Sequence, residues 1–66
     1  MRLLVNGEPR ELAEASTVSG LLSALDLDGR RLGVELNREI VPKSAYGATR
    51  LADGDAVEIV HFVGGG

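Results

Sequence analysis

Residues 56–63 read AVEIVHFV and are followed by three glycines, residues 64–66. Apolar and polar side chains alternate at the start of this run, which is typical of a β-strand with one buried face. Because Glu58 is expected to face water, we predict that Val57 and Ile59 face the core. Such a strand needs neighbouring strands on both sides and a layer that covers its apolar face.

The neighbours of this strand are expected from the first residues of the chain. Residues 1–5 are mostly apolar, and we predict that they form a strand parallel to the last one at the centre of the sheet. Asn6 and Gly7 follow, which is the strongest two-residue hairpin signal. A return strand is therefore expected over residues 8–12. Pro9 cannot donate a ladder hydrogen bond, so this strand is predicted to lie at a sheet edge.

One amphipathic helix is predicted after the hairpin. Ser16 and Thr17 can cap its first turn, and apolar residues then recur with the spacing of a single helix face. These residues are Val18, Leu21, Leu22 and Leu25. We expect them to share one core with Val57 and Ile59. Gly20 either weakens this helix by about 1 kcal/mol relative to alanine or lets it lie close to the sheet.

Two further strands are expected in the middle of the chain, over residues 32–36 and 39–41. Asn37 and Arg38 join them, and asparagine tolerates the positive φ that such a turn needs. Pro42 is expected to end the second of these strands.

The remaining segments are predicted to be connections. Residues 26–31 are polar and are expected to form a loop, and residues 43–50 an irregular stretch with one helical turn near residues 44–46. Asp53 and Asp55 flank Gly54, which we interpret as turn chemistry.

The predicted order of elements is strand, strand, helix, strand, strand, strand. It corresponds to an α+β chain with the β-grasp (ubiquitin-like) fold, a five-stranded mixed sheet with one main helix packed on one face. We expect one domain over residues 1–63 and a flexible tail over residues 64–66.

Composition argues against several classes of function. The chain has 66 residues, which leaves little room for a deep catalytic cleft. There is no cysteine and one histidine, so neither a thiol nucleophile nor a catalytic triad can be assembled, and no metal site or cofactor is expected. We interpret His61 as a strand residue at the sheet rim. The net charge of −3 argues against nucleic acid, no apolar run is long enough for a membrane span, and we expect a cytoplasmic protein that is not an enzyme.

The glycine tail is the feature that packing does not explain. Glycine loses the most entropy on ordering, so we expect Gly64, Gly65 and Gly66 to be mobile. Three residues reach at most roughly 10 Å, which would carry a terminal carboxylate clear of the domain and into the narrow active site of another protein. The alternative is a frayed end or a remnant of cloning.

Several short stretches together resemble a known family. They are Asn6-Gly7, Thr17-Val18 at the start of a helix with Leu21-Leu22 and Leu25, LNREIVPK at 36–43, Leu51, GDAVEIV at 54–60, and Gly65-Gly66. In this combination they resemble the ThiS family, the sulfur carrier proteins of thiamine biosynthesis. Tyr46 stands where this family often has a tryptophan.

This resemblance implies a mechanism and a set of partners. An ATP-dependent adenylating enzyme of the E1-like type would activate the carboxylate of Gly66. A sulfur donor such as a cysteine desulfurase would then convert the adenylate into a thiocarboxylate, from which thiazole synthase would take the sulfur. The carrier itself would supply no catalytic side chain. Two alternatives stay open: a sulfur carrier for molybdopterin or amino-acid synthesis, and a β-grasp binding module without covalent chemistry.

A docking surface for these partners is also expected. Val60 and Phe62 share a strand face with Glu58 and point away from the predicted core, and Leu4 is expected beside them on the neighbouring strand. Grouped exposed apolar side chains often indicate a partner site. The alternative is that a loop covers them.

Overall fold

The computed structural model describes residues 1–13, 16–27 and 31–62. Its elements, in chain order, are β1 (Arg2–Val5), β2 (Glu8–Glu11), α1 (Val18–Ala24), β3 (Leu32–Leu36), β4 (Glu39–Val41), a short 3₁₀ helix (Lys43–Ala45) and β5 (Ala56–His61). The predicted order of elements is confirmed, and with it the β-grasp fold.

The five strands form one mixed sheet in the order β2-β1-β5-β3-β4. The two central strands, β1 and β5, are parallel, with Leu4 beside Ala56 and Val5 beside Val57. All other neighbours are antiparallel. The predicted central parallel pair and the edge position of Pro9 are therefore both confirmed.

Both hairpin turns use residues with positive φ. Asn6 and Gly7 have φ of 50° and 84°, and Asn37 and Arg38 have φ of 50° and 71°. Two consecutive positive φ values are the signature of the turn whose twist matches that of antiparallel strands. The positive φ of Arg38 was not predicted, because arginine carries no sequence signal for that conformation.

The two turn asparagines also hold the central strand β5. Asn6 Oδ1 accepts the Ile59 backbone N–H at 2.7 Å, and Asn6 Nδ2 donates to the Ile59 carbonyl at 3.2 Å. Asn37 Oδ1 accepts the Ala56 backbone N–H at 2.9 Å. Each asparagine therefore fixes both its own turn and its distance from β5.

The helix begins and buries its apolar face as predicted. Thr17 is the N-cap, and its Oγ1 accepts the Gly20 backbone N–H at 3.1 Å. Leu25 caps the C-terminus and is only partly buried against the core. The buried core consists of Leu3, Val5, Val18, Leu21, Leu22, Val34, Val41, Leu51, Val57 and Ile59.

The connections differ from the predictions only in detail. The helical turn starts one residue earlier than expected, at Lys43, and β5 ends at His61, with Val63 outside the described residues. Asp53 and Asp55 serve the turn at Gly54: their carboxylates accept the backbone N–H groups of Arg2 and Ala52, at 2.6 and 2.7 Å. Within the part of the chain described, no helix is long and apolar enough to cross a bilayer.

Gly20→Ala is expected to stabilise the protein by about 0.5–1 kcal/mol, because alanine favours the helix and restricts the unfolded chain. Gly20 is exposed, and a Cβ there would meet Thr17 Oγ1 at 3.6 Å, an ordinary contact. The interpretation that Gly20 allows close approach to the sheet is therefore wrong. The measurement is the free energy of unfolding in urea.

The matched control is Gly54→Ala, where φ is +89° and alanine is strained. It should lower the free energy of unfolding. A Gly20→Ala variant that is no more stable than the parent would contradict this account of the helix.

Candidate functional site

The helix covers one face of the sheet and leaves the other exposed. We call this second surface the open face; it is formed by Leu4, Gly33, Glu35, Ile40, Glu58 and Val60, with Phe62 directly after β5. Its large apolar side chains are strongly exposed: Leu4 44%, Val60 55%, Phe62 62% and Ile40 79%. The alternative that a loop covers the predicted docking residues is therefore wrong.

Strand register explains why these residues lie together. Leu4 stands beside Ala56 at the start of β5, and Glu58, Val60 and Phe62 follow at alternate positions along the same strand. At about 3.3 Å per residue, the stripe from Ala56 to Phe62 is roughly 20 Å long. The structure thus brings all four predicted docking residues onto one continuous surface.

Sequence reasoning missed three residues of the open face: Gly33, Glu35 and Ile40. Glu35 lies directly opposite Glu58 on β3, and Ile40 lies directly opposite Glu35 on β4. They widen the stripe across three strands at its centre. For Gly33 and Glu35 the available signal was the alternation of β3, where Val34 is buried and its neighbours therefore face the other way.

Phe62 is held in place although it follows the last strand. Its backbone N–H donates to the Arg31 carbonyl at 3.0 Å. Its ring lies over Gly33, where a Cβ would stand 3.1 Å from the ring Cζ. Gly33 therefore provides the space that the ring occupies. A glycine inside a predicted strand is the signal that could have indicated such a close approach.

His61 lies away from the open face. It stands opposite Leu32 in the register and is exposed. Over residues 1–13, 16–27 and 31–62, no cluster of three or more histidine, cysteine or acidic side chains could hold a metal. The exposed position opposite Leu32 agrees with the interpretation of His61 as a rim residue.

The predicted covalent site lies outside the described residues. Gly64, Gly65 and Gly66 fall there, as does the predicted boundary between domain and tail. Their role stays a prediction that rests on chemistry. The structure does describe Phe62, which precedes Gly64 by two residues in the sequence, and the open face at whose end Phe62 lies.

Comparison with known proteins places the chain in a family. The model of the ThiS family matches residues 3–66, and so includes the three glycines. A crystal structure of the thiamine biosynthesis protein (ThiS) from Geobacter metallireducens superposes with a TM-score of 0.86 and 46% sequence identity, over 100% of both chains.

Two curated relatives extend the comparison. The sulfur carrier protein ThiS of Bacillus subtilis (strain 168) is 43% identical over 53 residues, which is 80% of each chain. A thiazole synthase of Paramagnetospirillum magneticum is 50% identical over all 66 residues, although this chain spans only 20% of that protein's length. Because the family model covers almost the whole sequence and the fold agrees, the chain belongs to the ThiS family.

Proposed function

We propose that this chain is a sulfur carrier for thiamine biosynthesis and that its working group is the carboxylate of Gly66. The observation that carries the proposal is the family match through residue 66, because it includes the glycines. The similarity to the sulfur carrier protein ThiS of Bacillus subtilis supports it. The chain acts as a co-substrate of partner enzymes and is not itself an enzyme.

The chemistry takes place at one carbon atom. In an ATP-dependent adenylating enzyme, a carboxylate oxygen of Gly66 attacks the α-phosphorus of ATP, and pyrophosphate leaves with its electron pair. The terminal sulfur of a persulfide, delivered by a donor such as a cysteine desulfurase, then attacks the acyl-adenylate carbon, so that a carbon–sulfur bond forms and AMP leaves. A thiol of a partner enzyme cleaves the sulfur–sulfur bond of the resulting acyl disulfide, which releases the thiocarboxylate that thiazole synthase uses and leaves a disulfide that a cellular thiol reduces. Cleavage of ATP supplies the driving force. We propose that the reaction occurs in the cytoplasm, because it consumes ATP.

The tail suits this task because it has no side chains. Gly64, Gly65 and Gly66 allow close approach of an enzyme to the backbone, and ordering three residues costs roughly 3–6 kcal/mol of backbone entropy. That cost weakens each complex. A carrier that must leave one enzyme for the next benefits from such transient binding.

The open face is proposed as the surface that partners bind. Leu4, Glu58, Val60 and Phe62 form its length, and exposed apolar side chains grouped in this way favour a protein partner. Thiazole synthase is one such partner. Support comes from the synthase of Paramagnetospirillum magneticum, because part of that protein is 50% identical to this whole chain.

Intact mass spectrometry tests the proposal. The chain is incubated with ATP, the adenylating enzyme of its own organism and a sulfur source. The expected result is a mass increase equal to the exchange of one oxygen for one sulfur, which fragmentation assigns to Gly66. The control is the Bacillus subtilis carrier with its own enzymes, which establishes that the assay works. If the control is converted and this chain is not, the sulfur-carrier function is rejected and the binding-module alternative is favoured.

A further inference from the structure

Two carboxylates face each other at the centre of the open face. Glu35 on β3 and Glu58 on β5 are directly opposite in the antiparallel register, and both side chains are exposed. Side chains in this arrangement have Cβ atoms about 4.5–5.5 Å apart, and like charges there repel and destabilise the sheet. The fold therefore holds two negative charges close together at a cost to its own stability.

No cationic side chain of the described residues forms an ion pair with Glu35 or Glu58. The ion pairs found there involve Glu8 and Glu11, on the edge strand β2. Arg38 borders the same depression as Glu35 and Glu58, yet it forms no ion pair with either across residues 1–13, 16–27 and 31–62. Both carboxylates are exposed, so solvent reaches them.

Exposed apolar side chains surround the pair, so a partner that binds them would also exclude water from the two carboxylates. Val60 follows Glu58 at the next position on the same face, and Ile40 lies directly opposite Glu35. A partner that covers these exposed apolar side chains also removes water from the carboxylates between them. Burying an unpaired carboxylate is strongly unfavourable, so the face favours a partner that brings a positive charge to this point.

The same charges disfavour other occupants. A symmetric dimer formed through the open face would set the same patch against itself and bring four carboxylates together. Nucleic acid and anionic lipid both present phosphates, which the pair repels. The remaining occupant is a different protein with a cationic side chain among apolar ones.

We propose that Glu35 and Glu58 form a receptor for one arginine or lysine side chain of a partner protein, seated at the centre of the open face. Arginine fits best, because its planar guanidinium can donate to both carboxylates at once. The inference rests on the proposed role of the open face as the partner-binding surface. It adds the chemistry by which a partner is recognised, and Glu35 as a residue that determines specificity.

Glu58→Lys gives the sharpest test, because stability and binding should move in opposite directions. Lysine opposite Glu35 replaces repulsion with attraction, so the midpoint of unfolding in urea should rise. Binding to the adenylating enzyme or to the thiazole synthase of the same organism should weaken by about tenfold or more, because two cations would then meet. Glu58→Gln should weaken binding less than Glu58→Lys does. The affinity of the Gln variant should also depend less on salt than that of the parent.

Glu39→Gln is the matched control. Glu39 is an exposed carboxylate next to Ile40 in β4 and alternates with it, so it belongs to the opposite side of the strand. The same loss of charge there should leave binding unchanged. If Glu58→Lys binds both partners as tightly as the parent does, the receptor is rejected.

The readouts separate this inference from the proposed function. If the parent chain acquires sulfur and Glu58→Lys keeps full affinity for the partner, the carrier function is retained and the receptor is rejected. If the parent chain never acquires sulfur, yet Glu58→Lys binds the partner more weakly than the parent does, the carrier function is rejected and the receptor is retained.

Discussion

Deleting Gly66 is expected to abolish ATP–pyrophosphate exchange with the adenylating enzyme while the domain stays folded. The deletion draws the terminal carboxylate back by roughly 3.5 Å. Displacement of a reacting group by about 1 Å can already cost 10²-fold in rate. The domain should stay folded, because all buried core residues in the described part of the chain lie between Leu3 and Ile59. Exchange is measured with labelled pyrophosphate, and folding by the midpoint of unfolding in urea.

Two further variants show whether position or side chain matters. Adding one alanine after Gly66 moves the carboxylate forward and adds a Cβ, so exchange should again be lost. His61→Ala removes an exposed side chain near the tail and should retain exchange. Undiminished exchange by the Gly66 deletion would reject activation at this residue. Loss of exchange only in surface variants would favour a binding module without covalent chemistry.

Local signals allowed most of the fold to be predicted. The alternation in β5 correctly placed Val57 and Ile59 in the core, because a side-chain period of two follows directly from strand geometry. Thr17 and the apolar stripe after it gave the start and the buried face of the helix. These features depend on residues that are close in the sequence and can therefore be predicted from a single sequence.

The parallel pairing of β1 with β5 was predicted, but the side-chain contacts that depend on the exact register of distant strands were not. Glu35 and Glu58 oppose each other only because β3 pairs with β5 in one register, which no short stretch of sequence specifies. The two hydrogen bonds between the Asn6 side chain and the Ile59 backbone depend likewise on how β1 and β5 pair. Ile40 was missed for another reason: β4 has three residues, too few for alternation to reveal a face.

The candidate site divides in the same way. The tail could be proposed from sequence because a terminal carboxylate on glycines needs no tertiary structure to be recognised. The exposure of Leu4, Val60 and Phe62 could be inferred from alternation. The pair of negative charges at the centre of the open face could not be predicted, because it depends on the register between β3 and β5.

Leu21→Ala and Leu4→Ala make the same chemical change on opposite sides of the sheet, and their effects should separate stability from function. Leu21 is fully buried between α1 and the sheet, whereas Leu4 is 44% exposed. Leu21→Ala is expected to lower the free energy of unfolding by about 2–5 kcal/mol, because the cavity adds to the lost transfer energy. That loss is a large share of the stability of a small domain.

Leu4→Ala should cost under about 1 kcal/mol in stability, since little apolar area leaves a buried site. It should instead weaken binding to the partner enzymes, because Leu4 belongs to the open face. Urea unfolding and partner titration, run on both variants, give four values to compare. Equal losses of stability would contradict the assignment of the two faces. If Leu4→Ala binds the partner enzymes as tightly as the parent does, Leu4 is not part of the docking surface.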